Sequence, residues 1–329
     1  MRYKHFKNAD IDVSALAVGT WAIGGSGYGE VNDKDSIDAI HRMIDGGVNL
    51  IDTAAVYGDG YSEMIVGKAL KGYDRSKLFV STKCGTGTQT LRSIRAGNKK
   101  GGRDGRYENV LYQCECSLRR LDTDYVDFMF VHWPDRDTPY EETMEAMDKL
   151  REQGKIRFVG LSNFDKEMIT RCEAATKIDA IQPPYSMVVR RDEELMKWAI
   201  ERGIDTFTYG SLGAGILTGT FRTVPTFGEG DPRNKFYPFF KDPDFSKVMK
   251  VLDVMDKISA ETGKPLAQIA INWSTQKDYV STALVGVRNP AEAAENCSTF
   301  DWTLTDEQIA ALDEAIEKYI DFDGSAPVK

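Results

Sequence analysis

The sequence lacks a long apolar segment. Nowhere in its 329 residues does a window approach the roughly 18 uninterrupted apolar residues that a membrane span requires. The opening residues, MRYKHFKNADIDV, also lack the apolar core of a secretory signal. We therefore expect neither membrane insertion nor export.

Cysteine is scarce, and the five residues form an odd number: Cys84, Cys114, Cys116, Cys172 and Cys297. The only close pair, Cys114 and Cys116, has neither the CxxC spacing of redox proteins nor the spacing of a zinc knuckle. We interpret the cysteines as reduced thiols, several of them packed in the core, and expect a cytoplasmic protein.

Histidine and phosphate-binding glycine motifs are also scarce, and acidic residues outnumber basic ones. The three histidines, His5, His41 and His132, show no paired-ligand spacing, so we predict no metal site. The 42 basic and 51 acidic residues give a net charge of −9, which argues against general nucleic-acid affinity. The glycine-rich run at 24–29 does not have the spacing of an open dinucleotide-binding fold, and a P-loop lysine is missing.

Short apolar or β-branched runs alternate with stretches of helical periodicity along the chain. The predicted strands are 16–20, 48–52, 78–83, 126–132, 156–161, 180–182, 204–208 and 282–286. The clearest predicted helices are 33–45, 108–121, 139–153 and 192–202. This alternation favours a closed parallel (β/α)8 TIM barrel over a doubly wound open sheet, with 1–329 as a single domain. Segments 2–6 and 11–13 resemble a β-hairpin that would plug the barrel floor.

Two long segments interrupt this alternation at the strand ends where barrel enzymes place their active sites. Segment 85–107 carries the basic residues Arg92, Arg95, Lys99, Lys100, Arg103 and Arg106. It suggests an anionic substrate, with a solvated mobile loop as the alternative. Segment 218–245 is rich in glycine, proline and aromatic residues, and either lines a substrate pocket or packs locally as an Ω-loop.

Polar side chains stand at the ends of three consecutive predicted strands. Asp52 closes the second strand, Tyr57 follows it, Lys83 closes the third strand and His132 closes the fourth. Adjacent strand ends of a barrel meet at one rim, so we expect these side chains to converge. Each alone has an ordinary explanation, as a packed tyrosine, a solvated lysine or a satisfied polar group, but their joint placement favours a reaction centre.

Together these groups suit the reduction of a carbonyl by hydride. The reaction leaves an alkoxide-like oxygen that must be stabilised and protonated. A tyrosine holds its proton at neutral pH, because a free phenol has a pKa of about 10. A nearby Lys83 ammonium would favour the phenolate and ease proton release, Asp52 would keep that lysine charged and fixed, and His132 would orient the carbonyl. Tyr57 is therefore the predicted proton donor.

Three segments resemble the aldo-keto reductase superfamily: GVNLIDTAAVYGDGYSE at 47–63, DYVDFMFVH at 124–132 and GLSNF at 160–164. The resemblance covers nearly the whole chain, and the segments appear in the family's order. It implies a (β/α)8 barrel in which the four strand-end residues form a catalytic tetrad. It also implies NADP(H) bound in an extended form across the barrel mouth, without a dinucleotide-binding fold.

The resemblance further implies which residues would hold the cofactor. Thr20 and Trp21 would border the nicotinamide, Ser162, Asn163 and Gln182 would hold its carboxamide, and Tyr209 would stack on the ring. The run 209–217 resembles the pyrophosphate loop, with Ser211, Leu212, Gly215 and Leu217, and the run 286–296 resembles the adenosine end, with Gly286, Arg288, Glu292, Glu295 and Asn296. Trp21 and Trp133 would line the substrate pocket.

The cofactor segments depart from the family's pattern. Gly-Ser-Leu at 210–212 replaces the usual Ser-Pro-Leu, and Thr220 stands where a phosphate-binding lysine is common. Glu292 occupies a position that is commonly uncharged, where a carboxylate would repel a 2′-phosphate or accept a bond from a free 2′-hydroxyl. Arg288 would face the 2′-phosphate, so NADP(H) is the predicted cofactor and NAD(H) the alternative.

The predicted function is an NADP(H)-dependent oxidoreductase that reduces a small aldehyde, ketone or sugar carbonyl to the alcohol, with Tyr57 as general acid. One alternative is a cofactor-binding regulatory subunit resembling the potassium-channel β subunits. Another is a sugar or alcohol dehydrogenase that operates in the oxidative direction. The sequence is compatible with a monomer and with a homo-oligomer.

Overall fold

The computed structural model describes residues 1–25, 32–97, 101–231 and 233–324. Its strands are β1 (Tyr3–Phe6), β2 (Ile11–Ser14), β3 (Leu16–Gly19), β4 (Leu50–Asp52), β5 (Phe79–Cys84), β6 (Thr86–Gly87), β7 (Gly102–Arg103), β8 (Val126–Val131), β9 (Ile156–Ser162), β10 (Ala180–Gln182), β11 (Asp205–Thr208) and β12 (Thr282–Gly286). Its helices are α1 (Asp33–Asp45), α2 (Tyr61–Leu70), α3 (Leu91–Arg95), α4 (Tyr107–Leu121), α5 (Tyr140–Glu152), α6 (Lys166–Glu173), α7 (Glu193–Glu201), α8 (Arg233–Phe236), α9 (Asp244–Thr262), α10 (Leu266–Thr275), α11 (Pro290–Ser298) and α12 (Asp306–Tyr319). Within these ranges, no helix is both long and apolar enough to cross a bilayer.

A closed parallel barrel forms the centre of the molecule. Its strands follow the order β3, β4, β5, β8, β9, β10, β11 and β12, and β12 pairs with β3 to complete the ring. This confirms the predicted (β/α)8 barrel. The strands are buried on both faces, which explains why they read as apolar runs rather than as alternating patterns.

The predicted element boundaries agree with the structure to within one or two residues. The four clearest predicted helices correspond to α1, α4, α5 and α7. Strand β4 begins at Leu50 rather than at 48, because Asn49 still belongs to the connection, where its side-chain amide donates to the Asp12 carbonyl. Helix α1 begins where the sequence places it, since the Asn32 side chain accepts hydrogen bonds from two backbone N–H groups of the first turn.

The N-terminal hairpin closes the floor of the barrel. Strands β1 and β2 pair antiparallel, as predicted, and β2 ends just before β3 enters the barrel at its amino end. Phe6 of β1 is fully buried, with its ring centroid 5.5 Å from that of Phe207 and 6.4 Å from that of Phe128. The hairpin therefore contributes an aromatic side chain to the barrel interior.

Phenylalanine rings fill the lower barrel. The Phe128 centroid lies 4.8 Å from that of Phe158 and 4.9 Å from that of Phe207, and Phe130 packs beside them. Gly160 leaves room for this packing, because a Cβ atom there would lie 2.3 Å from the Phe130 ring. A larger residue at Gly160 would displace the Phe130 ring from the packed phenylalanine side chains inside the barrel.

Within the described residues, both long segments contain regular elements or packed side chains. Segment 85–107 contains β6, α3 and β7, and β6 pairs antiparallel with β7. In segment 218–245, the ring of Phe240 packs edge-on against those of Phe221 and Phe227, at centroid distances of 5.6 and 4.9 Å. Phe239 and Phe240 are buried. These aromatic side chains therefore pack against one another, as an Ω-loop would, instead of lining an open pocket.

The barrel interior generates a prediction about stability. Phe128→Ala should lower the free energy of unfolding by about 3–5 kcal/mol, because it opens a cavity among four aromatic neighbours. Chemical denaturation monitored by circular dichroism measures the change. The exposed Phe236 provides the control, since Phe236→Ala should change stability by no more than about 0.5 kcal/mol. Equal losses in both variants would contradict this description of the core.

Candidate active site

A buried ion pair lies at the carboxyl end of the barrel. Asp52 is the last residue of β4, and its Oδ2 accepts a hydrogen bond of 2.6 Å from Nζ of Lys83 on β5. The same ammonium donates to the Thr53 carbonyl at 2.8 Å. The side chains of Lys83 and Asp52 are 0% and 3% exposed, so water contributes little to their solvation. Burial lowers the pKa of Lys83, and the Asp52 carboxylate opposes that shift.

The second oxygen of the Asp52 carboxylate also has hydrogen-bond partners. Oδ1 accepts from the Ser81 hydroxyl at 2.7 Å and from the Gln182 side-chain amide at 3.0 Å. Ser81 lies two residues before Lys83 on β5 and therefore faces the same side of the strand. Gln182, which the family resemblance assigns to the cofactor's carboxamide, here donates its amide hydrogen to the aspartate. Sequence analysis did not identify Ser81, although its spacing from Lys83 places it beside the pair.

Tyr57 lies over the lysine. Lys83 Nζ is 5.0 Å from the centroid of the Tyr57 ring. The same ring stacks against Trp21 at a centroid distance of 6.4 Å and meets the His132 ring edge-on at 6.0 Å. Asp52, Tyr57, Lys83 and His132, which are far apart in sequence, therefore form one cluster at one rim.

His132 follows β8 and is held through its backbone. Its N–H donates to the Cys84 carbonyl at 2.9 Å, and its own carbonyl accepts from the Asn163 side chain at 3.0 Å. Burial, followed by the charge of Lys83, lowers the pKa of His132 well below the usual range. The imidazole is therefore neutral at physiological pH. Its Nδ1 is buried and has no hydrogen-bond partner among the described residues.

The residues predicted to hold the nicotinamide surround this cluster. Asn163 adopts a left-handed conformation, with φ of 63°, and its Oδ1 accepts a 2.8 Å hydrogen bond from the Tyr209 hydroxyl. The Ser162 hydroxyl donates to the Gln182 carbonyl at 3.0 Å. Burial raises the pKa of Tyr209. Thr20 is buried and donates to the Asp52 carbonyl at 2.9 Å, so its hydroxyl is directed into the strand ends.

The segment predicted to bind pyrophosphate follows β11. Gly213, Ala214 and Gly215 have successive positive φ angles of 55°, 53° and 98°. Within this segment, Ser211 and Leu217 are buried, and the Ser211 hydroxyl donates weakly to the Leu284 carbonyl at 3.4 Å. The side chains of these two residues therefore serve packing, which leaves the backbone of the turn and the partly buried Leu212 for contact with a ligand.

The segment predicted to bind adenosine follows β12, the strand that neighbours β11. Arg288 Nη2 and Nε donate to Oε1 of Glu292 at 2.7 and 3.1 Å, and the Arg288 backbone N–H donates to Oε2 at 2.9 Å. The Asn296 side chain donates to the Gly286 carbonyl at 3.4 Å, and the Glu295 carbonyl accepts from Gln268. The guanidinium of Arg288 thus already has a carboxylate partner.

Open space borders both segments. A Cβ atom at Gly210 or at Gly286 would meet no atom of the described chain within 4 Å. Both glycines lie at the same end of the barrel as Asp52. Each of the two segments therefore has unfilled space beside it at this end of the barrel.

Three arginines of the basic segment pair with acidic residues, one inside the segment, one directly after it and one from the loop that follows β8. Arg95 Nη1 lies 2.7 Å from Glu108, and Arg92 Nη1 lies 3.1 Å from the largely buried Asp135. Arg106 binds the buried Asp104 at 2.8 Å. Lys99 and Lys100 lie outside the described residues, as does most of the glycine-rich run at 24–29. The local positive charge of this segment is therefore smaller in the fold than its number of basic residues suggests.

One cavity of about 500 Å³ adjoins this segment. It is lined by Arg92, Ser93, Ala96, Gly102, Arg103, Asp135, Arg136 and Asp137. The Arg103 guanidinium lies 5.3 Å from the Trp133 ring, and that ring stacks against His132 at 6.4 Å. The cavity thus lies beside the rim on which Tyr57 stands. Across the described ranges, no cluster of His, Cys, Asp and Glu is arranged to hold a metal ion.

Comparison with known proteins agrees with this architecture. A sequence profile described as Aldo/keto reductase family matches residues 15–317. Aldo-keto reductase YhdN of Bacillus subtilis (strain 168) is 36% identical over 97% of this chain and 95% of its own length. NADH-specific methylglyoxal reductase of Escherichia coli (strain K12) is 32% identical over 94% of this chain and 96% of its own.

A solved structure of similar fold agrees with the sequence comparisons. The glycerol dehydrogenase AKR11B4 from Gluconobacter oxydans superimposes with a TM-score of 0.85 at 34% sequence identity, covering 100% of this chain and 97% of that one. The profile and these two relatives are described as reductases and this solved structure as a dehydrogenase, and the profile match spans the whole barrel. The chain therefore belongs to the aldo/keto reductase family of nicotinamide-dependent oxidoreductases.

Proposed function

We propose that the chain reversibly reduces an aldehyde, ketone or sugar carbonyl to the alcohol, with Tyr57 as general acid and, in the reverse direction, general base. The observation that supports this most directly is the convergence of Asp52, Tyr57, Lys83 and His132 at one rim of the barrel. The oxidative direction is part of the proposal, because one structural neighbour is a glycerol dehydrogenase.

The nicotinamide, when bound, supplies or accepts the hydride. Asn163 and Ser162 offer the amide and hydroxyl groups that suit its carboxamide, and the Tyr209 ring offers a flat aromatic face. Gly210 and Gly286, one in each of the two predicted cofactor segments, border open space at the same end of the barrel, which is compatible with an extended dinucleotide. These residues fit the cofactor's chemistry.

The protein side of the reaction concerns one proton. A free phenol has a pKa of about 10 and therefore keeps its proton at neutral pH. The Lys83 ammonium beneath the ring favours the phenolate electrostatically, so proton release to a developing alkoxide becomes easier. Asp52 keeps that ammonium in place, and its own oxygens are fixed by Ser81 and Gln182.

His132 and two tryptophans position the substrate in this proposal. A neutral imidazole can donate one hydrogen bond to the carbonyl oxygen without competing for the transferred proton. Trp21 stacks on Tyr57 and Trp133 stacks on His132, so their rings flank the reacting oxygen and suit the apolar face of a small substrate.

Tyr57→Phe tests the proposal. Loss of general acid catalysis should reduce turnover by about 10²–10⁴-fold, while cofactor affinity remains unchanged. Reduced-cofactor absorbance measures turnover on a carbonyl panel, and fluorescence titration measures binding. Tyr73→Phe is the matched control, because its hydroxyl bonds to Asp45 away from the strand ends. Tight cofactor binding by the parent chain without turnover on any carbonyl would instead support a regulatory subunit.

We further propose NADP(H) as the preferred cofactor and NAD(H) as a second one. Arg288 supplies the cation that a 2′-phosphate needs, but its guanidinium already donates two hydrogen bonds to Oε1 of Glu292. The carboxylate should therefore weaken the preference for the phosphorylated cofactor. A relative named as an NADH-specific reductase is consistent with a balance that small changes can reverse.

Glu292→Gln tests this balance. Removal of the carboxylate releases the Arg288 guanidinium and removes a repulsive charge, so kcat/KM for NADPH relative to NADH should rise by about threefold or more. Glu314→Gln, which removes an exposed carboxylate of α12 outside the predicted cofactor segments, is the control for general charge. An unchanged or reduced NADPH preference would show that Glu292 does not act on the 2′-phosphate.

We propose that the substrate carries an anionic group. The cavity beside Trp133 supports this, because Arg103 and Arg136 line it, and Arg103 also lies over the Trp133 ring. Asp135 offsets part of that charge by binding Arg92. A substrate held at Tyr57 could extend past Trp133 and place its anionic end between the two other arginines.

Substitution of the cavity arginines tests the anionic group. Arg103→Met and Arg136→Met should each raise KM for an anionic aldehyde by about tenfold and leave KM for an uncharged analogue unchanged. Arg95→Met is the control, because this arginine belongs to the same segment but pairs with Glu108 outside the cavity. Equal effects on the charged and uncharged substrates would contradict the proposal.

We also propose a reducing, cytoplasmic location. All five cysteines are free thiols, and three of them are buried. Burial raises the pKa of Cys114 and Cys172 to about 12 in each case, so both are poor nucleophiles that serve packing. Unpaired cysteines of this kind are typical of proteins that function where thiols stay reduced.

A further inference from the structure

Glu63 is a buried carboxylate without a role in the proposed reaction. It lies on α2, and its side chain is 0% exposed. Its Oε2 accepts a 2.6 Å hydrogen bond from Nε of Arg120 on α4, and its Oε1 accepts a 2.6 Å hydrogen bond from the Thr82 hydroxyl on β5. Burying a charge costs free energy unless hydrogen-bonded partners compensate for it, and Arg120 and Thr82 are those partners here.

Arg120 connects this carboxylate to the turn that directly follows Tyr57. The turn comprises residues 58–60, whose φ angles are 61°, 52° and 94°. Arg120 packs directly against it, since a Cβ atom at Gly60 would lie 2.5 Å from the Arg120 side chain. Arg120 Nη1 also donates to Gln89 at 2.9 Å, and Gln89 donates to the Asp59 carbonyl. Arg120 and Gln89 therefore hold the three consecutive left-handed residues of this turn in place.

Thr82 connects the same carboxylate to the lysine. Adjacent residues of a strand point to opposite faces, so Thr82 faces the helices while Lys83 faces the barrel mouth. The negative charge of Glu63 therefore lies behind the strand that positions the ammonium, and it acts to raise the pKa of Lys83 against the effect of burial.

Charged and titratable groups from several elements face Lys83 and Glu63. Lys83 is faced by Asp52 from β4, by Glu63 from α2, by Tyr57 from the turn and by neutral His132 after β8. Glu63 is faced by Arg120 and by the neutral Cys114 thiol from α4, and by Thr82 from β5. Glu63 is thus the second carboxylate that acts on the ammonium.

We propose that Glu63 is a positioning residue for the proposed reduction. Through Arg120 it fixes the turn that follows Tyr57. Across β5, its negative charge stabilises the positive charge of Lys83. This inference rests on the proposed function. It predicts that Glu63 influences both the order of the turn and the pH at which the Lys83–Tyr57 pair loses its first proton.

The sign of the pH effect follows from the charge. Without the carboxylate, Lys83 loses its proton more readily and the phenolate of Tyr57 is favoured, so either group releases the first proton at lower pH. Glu63→Gln should therefore move the alkaline limb of kcat/KM for carbonyl reduction to lower pH by about 0.5 unit or more. Arg120→Gln, which leaves the negative charge without its cation, should move the same limb to higher pH.

Two controls separate this role from a general loss of stability. Thr82→Val removes a hydrogen bond to Glu63 but keeps the charge, and should leave the limb in place. Asp127→Asn removes another fully buried carboxylate, which binds Arg75 and Arg157 at 2.7 Å each, and should lower stability without moving the limb. A Glu63→Gln profile that coincides with the parent profile would overturn the proposal, even if turnover falls.

Hydrogen exchange tests the positioning independently of turnover. In the full chain without cofactor, peptides covering 58–60 should exchange about threefold or more faster in Glu63→Gln and in Arg120→Gln than in the parent, and no faster in Asp127→Asn. Unchanged exchange in both variants would overturn the inference. A parent chain without turnover would contradict the proposed function alone, and the exchange experiment would still decide the role of Glu63 and Arg120.

Discussion

The ion pair between Asp52 and Lys83 is the interaction on which the rest of the site depends. A buried charge pair persists only when its geometry is good and its remaining lone pairs and protons are satisfied. Here Ser81, Gln182 and Thr53 meet that requirement, from three different parts of the barrel. The pair therefore couples strands β4, β5 and β10 at one rim and holds a positive charge directly below Tyr57.

The barrel supplies the geometry that makes such a site available. Parallel strands bring Asp52, Lys83 and His132 to one end of the barrel. The remainder of the barrel interior is filled by closely packed phenylalanine side chains, for which Gly160 leaves room. Burial then determines the protonation of each group: it opposes the charge of Lys83, which needs its carboxylates, and it keeps His132 neutral. Fold and chemistry are linked through desolvation.

Sequence patterns predicted the elements well and the side-chain partners poorly, for a physical reason. Apolar runs and helical periodicity are local, so the strands, the hairpin and the clustering of the rim residues were all predicted. Partners such as Asp135 for Arg92 and Arg120 for Glu63 depend on packing between elements. Local spacing does not specify such contacts, and the basic segment therefore seemed less compensated in sequence than it is in the fold.

The most direct test of the central claim is a comparison of carbonyl reduction by Asp52→Asn, Lys83→Met and the double variant. If Asp52 acts through Lys83, the two residues form one unit. The double variant should then be no slower than Lys83→Met alone, within about threefold in kcat, because losses within a unit do not multiply. A double variant whose loss equals the product of the single losses would contradict the account.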